Sequence, residues 1–220
     1  MTIDLYVDTS RKGISMAVAT SGQPEGCARV YEEIVNTEAR GEILGESLDT
    51  LLTRVGATLD DVKRVMVTLG PGSFSGLRTG VAFCQGLCFS GKRELYGVTT
   101  LQALACFAHD AAGKECADAA VIIRARTGFW YMRLNGEEFF IETPEVIERI
   151  KNAKVKAIVA DAPAQEDDTL KAAFAEIGAS VSLDTGKPLD MWAPLFSTVK
   201  PSLIQEANYI QPSYFEKLKS

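Results

Sequence analysis

The feature that most constrains this chain is an order of elements that occurs twice. Ile3, Leu5 and Val7 share one face of an extended stretch, and Ile14, Met16 and Val18 repeat the alternation after Ser10-Arg11-Lys12-Gly13. A third strand is predicted over 28–34. A helix follows over 37–55, where Leu44, Leu48, Leu51, Leu52 and Val55 recur at three- and four-residue steps and Gly56 closes the end. Next come a strand over 65–69, a helix over 75–89, a strand over 94–98 and a helix over 101–108 capped by Thr99-Thr100. The second half repeats this order without repeating the sequence. Strands over 120–126 and 130–134 form a hairpin across Thr127-Gly128, and 138–142 adds a third strand. A helix opens at Thr143-Pro144, followed by a strand over 156–160, a helix over 168–177, a strand over 180–183 and helical turns over 189–199.

Each half therefore reads as an α/β lobe, a mixed five-stranded sheet with helices packed on it. Two such lobes describe the actin-like (ASKHA) architecture of the Hsp70 and sugar-kinase type, in which nucleotide phosphates lie between the halves against the first hairpin turn of each. The expected domains are 1–108 and 109–220, with the boundary near residues 100–115, in the Ala/Gly/Cys stretch that contains His109 and Cys116. With 220 residues the chain is long enough to bury roughly 70% of its unfolded surface.

Composition excludes several functions. No run approaches the ~20 apolar residues of a membrane span, and the first residues lack a basic start followed by an apolar stretch. A cytoplasmic protein without a membrane role is expected. A net charge of −6 argues against a surface that holds tRNA or DNA by itself. The five cysteines, Cys27, Cys84, Cys88, Cys106 and Cys116, are odd in number and form no CxxC, as expected of free thiols in a reducing compartment. A single histidine, His109, rules out a two-histidine metal site such as HExxH. No metal site is predicted.

Two segments can carry chemistry. Leu69–Arg78, LGPGSFSGLR, joins a strand to a helix and can aim backbone N–H groups at an anion. It is not a Walker A loop, because no Gly-Lys-Ser/Thr follows, and Gly72 and Gly76 are spaced one residue too far apart for GxGxxG. The bland reading is a tight, capped strand–helix connection. The second segment is Asp8-Thr9-Ser10 at the first hairpin, a phosphate-side turn or simply local turn chemistry. The candidate phosphate-loop residues are thus Asp8, Thr9, Ser10, Gly70, Pro71, Gly72, Ser73, Phe74, Ser75, Gly76 and Arg78. Asp161 and the Asp184-Thr185-Gly186 turn are read as caps and turns.

GPGSFSGLRTGVAFCQGL, with VDTS upstream and GVTTLQALA downstream, resembles the TsaB (YeaZ) family. The resemblance spans 7–105 and continues more weakly through IRARTGFWY and ANYIQPSYF. It implies a non-catalytic scaffold in making threonylcarbamoyladenosine, the tRNA modification beside the anticodon. Such a subunit pairs with the catalytic TsaD-type transferase, is joined by the TsaE-type ATPase, and meets tRNA only indirectly. No cofactor is fixed by the sequence, and ATP or ADP at the complex interface stays open. The competing reading is a small actin-fold ATP-binding enzyme, a kinase or protease, with Asp8, Asp161 and Asp184 as its acids. Two departures from the family stand out: Arg124 replaces an aspartate usual at the second hairpin, and Phe129 and Trp130 stand where a shorter polar residue is usual. A cation there cannot hold magnesium.

Partner binding is expected through the first-half helices. Gly76, Gly80, Cys84 and Cys88 recur every four residues, and Gly41 and Gly45 lie beside Leu44 and Leu48. Small stripes let helices approach closely. The same patch would form a two-fold homodimer in isolation. The alternative is that the stripe packs against its own sheet.

Overall fold

The computed structural model describes residues 1–21, 31–38, 41–108, 119–184 and 188–210. Cys27, His109, Cys116, Thr185, Gly186 and the C-terminal QPSYF lie outside the described residues, and so does the part of the expected boundary region, 100–115, from residue 109 on.

The first sheet has the order β3-β2-β1-β4-β5. β1 (Ile3–Asp8) is antiparallel to β2 (Ile14–Thr20), which is antiparallel to β3 (Tyr31–Asn36). β4 (Val62–Thr68) and β5 (Glu94–Val98) run parallel to β1. The parallel pairs require crossovers, which α1 (Leu44–Arg54) and α2 (Phe74–Cys88) supply. Ile3, Leu5 and Val7 join Met16, Val18, Val65 and Val67 on the face covered by Leu48, Leu51, Val81 and Cys84. The first helix is shorter than its periodicity predicts. β3 continues to Asn36, opposite Ile14, and a 3-10 turn over Gly41–Ile43 precedes the α-helix.

The second sheet has the order β10-β9-β6-β7-β8. It comprises β6 (Ala119–Arg126), β7 (Phe129–Leu134), β8 (Glu137–Glu142), β9 (Ala157–Ala160) and β10 (Ser180–Leu183). α3 (Thr100–Ala105) precedes it, and α4 (Thr143–Ala153), α5 (Ala162–Glu166) and α6 (Asp168–Ile177) complete the half. Its core gathers Ile122, Trp130, Met132, Val146, Ile150, Ile158, Leu170 and Phe174. The same strand order in both halves is the duplicated architecture that the sequence predicts.

The division of the chain differs from a single cut at 108. One compact unit is Met1–Thr100 with Pro188–Asn208, and the other begins at Leu101 and runs to Lys187, with Tyr209 and the residues after it. A 3-10 segment, Leu189–Ser197, returns to the first unit and covers the sheet face opposite the helices. The reason is aromatic: Phe196 packs on Tyr6 and edge-on to Tyr96, and Trp192 meets Tyr6 edge-on with ring centroids 6.4 Å apart. Arg64, held by Asp4 at 2.8 and 2.6 Å, lies over the Phe196 ring. Leu189 N–H donates to Tyr31 Oη. Trp192→Ala therefore removes a fully buried anchor of the first unit and should cost about 3–4 kcal/mol. An unchanged denaturant midpoint for this variant would refute the packing.

Candidate functional site

Asp8 ends β1, and its carboxylate is engaged within the turn. Oδ1 accepts from Ser10 N (2.9 Å), Ser10 Oγ (2.6 Å) and Thr68 Oγ1 (2.8 Å), and Arg11 lies 4.0 Å from Oδ2. The side chain thus ties the first hairpin to the end of β4. Asp8→Ala would leave the buried Thr68 hydroxyl without that acceptor. A loss of about 2–4 kcal/mol is expected, read as a shift of the urea midpoint. A mere phosphate ligand would leave the midpoint of the unliganded chain in place.

The Leu69–Arg78 segment is clamped from both sides. Ser73 N–H donates to Ser10 O at 2.6 Å, while Ser73 Oγ caps α2 by accepting from Gly76 N at 3.3 Å. Leu69 O accepts from Asn208 N, and Gly70 O from Thr100 N. A Cβ on Gly72 would fall on the Ser10 carbonyl oxygen, and one on Gly76 on the Thr9 carbonyl oxygen. Gly70 has φ +107°, precedes a cis peptide bond to Pro71, and lies against Asn208 O. Two N–H groups of the supposed anion cradle, those of Ser73 and Gly76, are thus spent on protein oxygens. Phe74, Ser75 and Arg78 face solvent, with the Arg78 guanidinium 5.4 Å from the Phe74 ring.

A cleft of ≈ 560 Å³ opens beside these turns, lined by residues that include Thr9, Arg11, Lys12, Glu38, Ser75 and Thr79. Its cations are balanced: Lys12 pairs with Glu38 at 2.8 Å and Arg11 faces Asp8. Among the described residues no group of three or more His, Cys, Asp or Glu side chains could hold a metal ion.

At the second hairpin Asp161 acts as a clamp. Oδ1 caps α5 by accepting from Ala164 N, and Oδ2 accepts from Arg124 N at 2.7 Å. The Arg124 guanidinium points away to Thr127 Oγ1 at 3.2 Å and is exposed. Sequence reading placed Asp161 as a cap but missed its bond to β6. The Asp-Ala-Pro run after a strand signals the cap, and nothing local signals the second bond.

The helix stripe expected as an interface is turned inward. Gly80, Cys84 and Cys88 are buried, the cysteines in the first core and Gly80 against Thr9, while Leu44 and Leu48 belong to the same core. Burial raises the Cys84 thiol well above its ordinary range and pushes Cys88 up to about 11, so neither is a ready nucleophile. Gly41 abuts Thr79 of α2, and of the glycines expected at the interface, Gly41, Gly45, Gly76 and Gly80, only Gly45 has open space around it. The exposed face of these helices is different: Phe74, Arg78, Ala82 and Gly86 on α2 and Phe89 at its C-terminal cap, with Gly45 and Asp49 on α1.

These two units, each a five-stranded mixed sheet with a clamped hairpin turn, define an actin-like α/β protein. Comparisons with known proteins refine this. The family model "TsaD: tRNA N6-adenosine threonylcarbamoyltransferase" matches residues 35–182, about two thirds of the chain. The TsaB protein of Escherichia coli, named for tRNA threonylcarbamoyladenosine biosynthesis, is 30% identical over 57% of this chain and 52% of its own length. TsaB of Haemophilus influenzae is 30% identical over 54% and 49%. The matched part thus spans about half the length of these curated relatives. YeaZ from Pseudomonas aeruginosa is 21% identical and covers 97% of this chain and 100% of its own, with a TM-score of 0.60. A second solved chain, described as similar to peptidase YEAZ from the same organism, reaches 0.69 at 21% identity, over 96% of this chain and 100% of its own. The chain belongs to the family that the model describes, on its TsaB (YeaZ) side.

Proposed function

We propose that this chain is a non-catalytic subunit in the formation of threonylcarbamoyladenosine on tRNA. In this reading it is cytoplasmic, pairs with a TsaD-type transferase and helps to recruit a TsaE-type ATPase. One observation carries the reading. The two turns that would serve phosphates in an actin-type enzyme are closed on themselves, Asp8 on Ser10 and Thr68, and Ser73 on Ser10. The names of the curated relatives support the pathway. The partner surface proposed is the exposed face of α1 and α2, where Gly45, Ala82 and Gly86 offer little side-chain bulk and Phe74 and Phe89 offer apolar anchors at 58% and 80% exposure. In isolation this face joins two copies about a two-fold axis. ATP or ADP, if the assembly holds it, binds where the partner completes the site.

The test is reconstitution of the tRNA modification from purified transferase, ATPase and tRNA, with and without this chain. Modification should depend on the chain, and the chain alone should turn over neither ATP nor peptide. Turnover by the isolated chain would favour the kinase or protease reading and overturn this one.

A further inference from the structure

Most arginines among the described residues are paired with a carboxylate. Among the described residues Arg11, Arg54, Arg64, Arg93, Arg133 and Arg149 each lie against a carboxylate. Arg78, Arg124 and Arg126 do not, and two of these three stand at one place, the β6–β7 hairpin end. Both are exposed. A register shift between Arg124 and Arg126 breaks the strand alternation. It leaves Arg124 opposite Trp130 and Arg126 opposite Phe129. Arg124 lines a small cleft with Thr127, Gly128 and Pro163. Arg126 lies 4.1 Å over the Phe129 ring, which stacks on Phe140 at 5.2 Å with planes 12° apart. Both guanidinium groups thus belong to this hairpin end, Arg124 held by Thr127 and Arg126 by Phe129.

The stack has an energetic consequence. A guanidinium held on an aromatic face has less rotamer freedom to lose when it meets an anion. Planar, pre-set guanidinium groups suit phosphate oxygens, which they bind in bidentate fashion. Glu142 faces Phe129 across the strands, and Glu166 and Asp167 line the cleft of Arg124, but among the described residues none of them forms an ion pair with these arginines.

We propose that the β6–β7 hairpin end contacts the phosphate backbone of the tRNA substrate through Arg124 and Arg126. This rests on the proposed role in tRNA modification and adds a direct contact to it. The footprint is one or two phosphates. A net charge of −6 argues against a broad RNA-binding face, so the contact adds to binding by the partner rather than replacing it. An acidic protein surface is the other chemistry that two arginines could meet. Neither guanidinium group has a carboxylate partner among the described residues, and Arg126 is already held on the Phe129 ring, which favours a polyanion.

The experiment uses the assembly with the TsaD-type transferase. Arg124→Ala/Arg126→Ala is compared with wild type and with Lys171→Ala/Lys200→Ala, two exposed lysines whose loss changes net charge equally. Partner capture is measured first, then tRNA affinity by fluorescence anisotropy across a salt series. The arginine variant should capture the partner as wild type does. It should bind tRNA about tenfold more weakly, with the slope of log K against log salt reduced by about 1–2. Affinity and slope equal to those of the lysine variant would overturn the proposal. So would loss of partner capture by the arginine variant, which would assign the hairpin to a protein contact. Failure of wild type to capture the partner would instead refute the assembly reading, and the contact with it.

Discussion

Gly72→Val should fail to yield a stably folded protein, or should lose more than about 4 kcal/mol. Gly72 does not need a left-handed backbone; the positive-φ glycine of this loop is Gly70. What it needs is the absence of a side chain. Ser73 N–H is bonded to Ser10 O at 2.6 Å, so the loop is pressed onto the first hairpin, and a Cβ on Gly72 would occupy the place of that same oxygen. The obstacle is backbone, which cannot rotate aside. Relief would require the loop to part from the hairpin and break the Ser73–Ser10 bond. Gly72→Ala should therefore already be severe, and enlarging it to valine should add little. Thermal and urea unfolding of both variants measures this. An alanine variant within about 1 kcal/mol of wild type would show that the loop does not sit on the hairpin.

Sequence reading places Gly72 in a candidate phosphate loop without saying what it faces, and the difference is instructive. Spacing and residue type located the loop, because glycine, proline and serine between a strand and a helix leave few alternatives. They could not say what the glycines face, since Ser10 is more than sixty residues away in the chain. The same limit explains the return of Leu189–Ser197 to the first unit. Trp192, Leu195 and Phe196 were legible as apolar turns, but nothing local says that their binding site is Tyr6 and Tyr96. Element order and a mixed five-stranded sheet in each half were legible, because period-2 alternation and helical periodicity mark the strands and the crossover helices between them. Asp8 shows the middle case. Its turn chemistry was readable from Asp-Thr-Ser, whereas the long-range bond from Thr68 was not.

Gly80→Leu and Gly45→Leu should now separate what the sequence pattern joined. The four-residue recurrence of Gly76, Gly80, Cys84 and Cys88 correctly marks one face of α2, and periodicity alone cannot say which way that face looks. It looks inward. A Cβ on Gly80 would meet Thr9, which is 1% exposed and has no room to yield beneath the helix. Leucine there must lift α2 from β1, at a cost above about 4 kcal/mol, so the expected outcome is loss of the cooperative melt rather than a folded, non-associating protein. Gly45 has no neighbouring atom within 4 Å of its would-be Cβ and lies in α1, so leucine removes a helix-destabilising glycine at no steric cost. Gly45→Leu should keep or slightly raise the melting temperature, by about 2 °C. If the α1–α2 face is the docking surface, the added bulk should weaken both self-association and capture of the transferase at least tenfold. Light scattering after size exclusion and a partner pull-down read the second effect, and circular dichroism reads the first. A folded Gly45→Leu variant that associates as wild type does would remove α1 from the interface, and a stable Gly80→Leu variant would show that the stripe faces out after all.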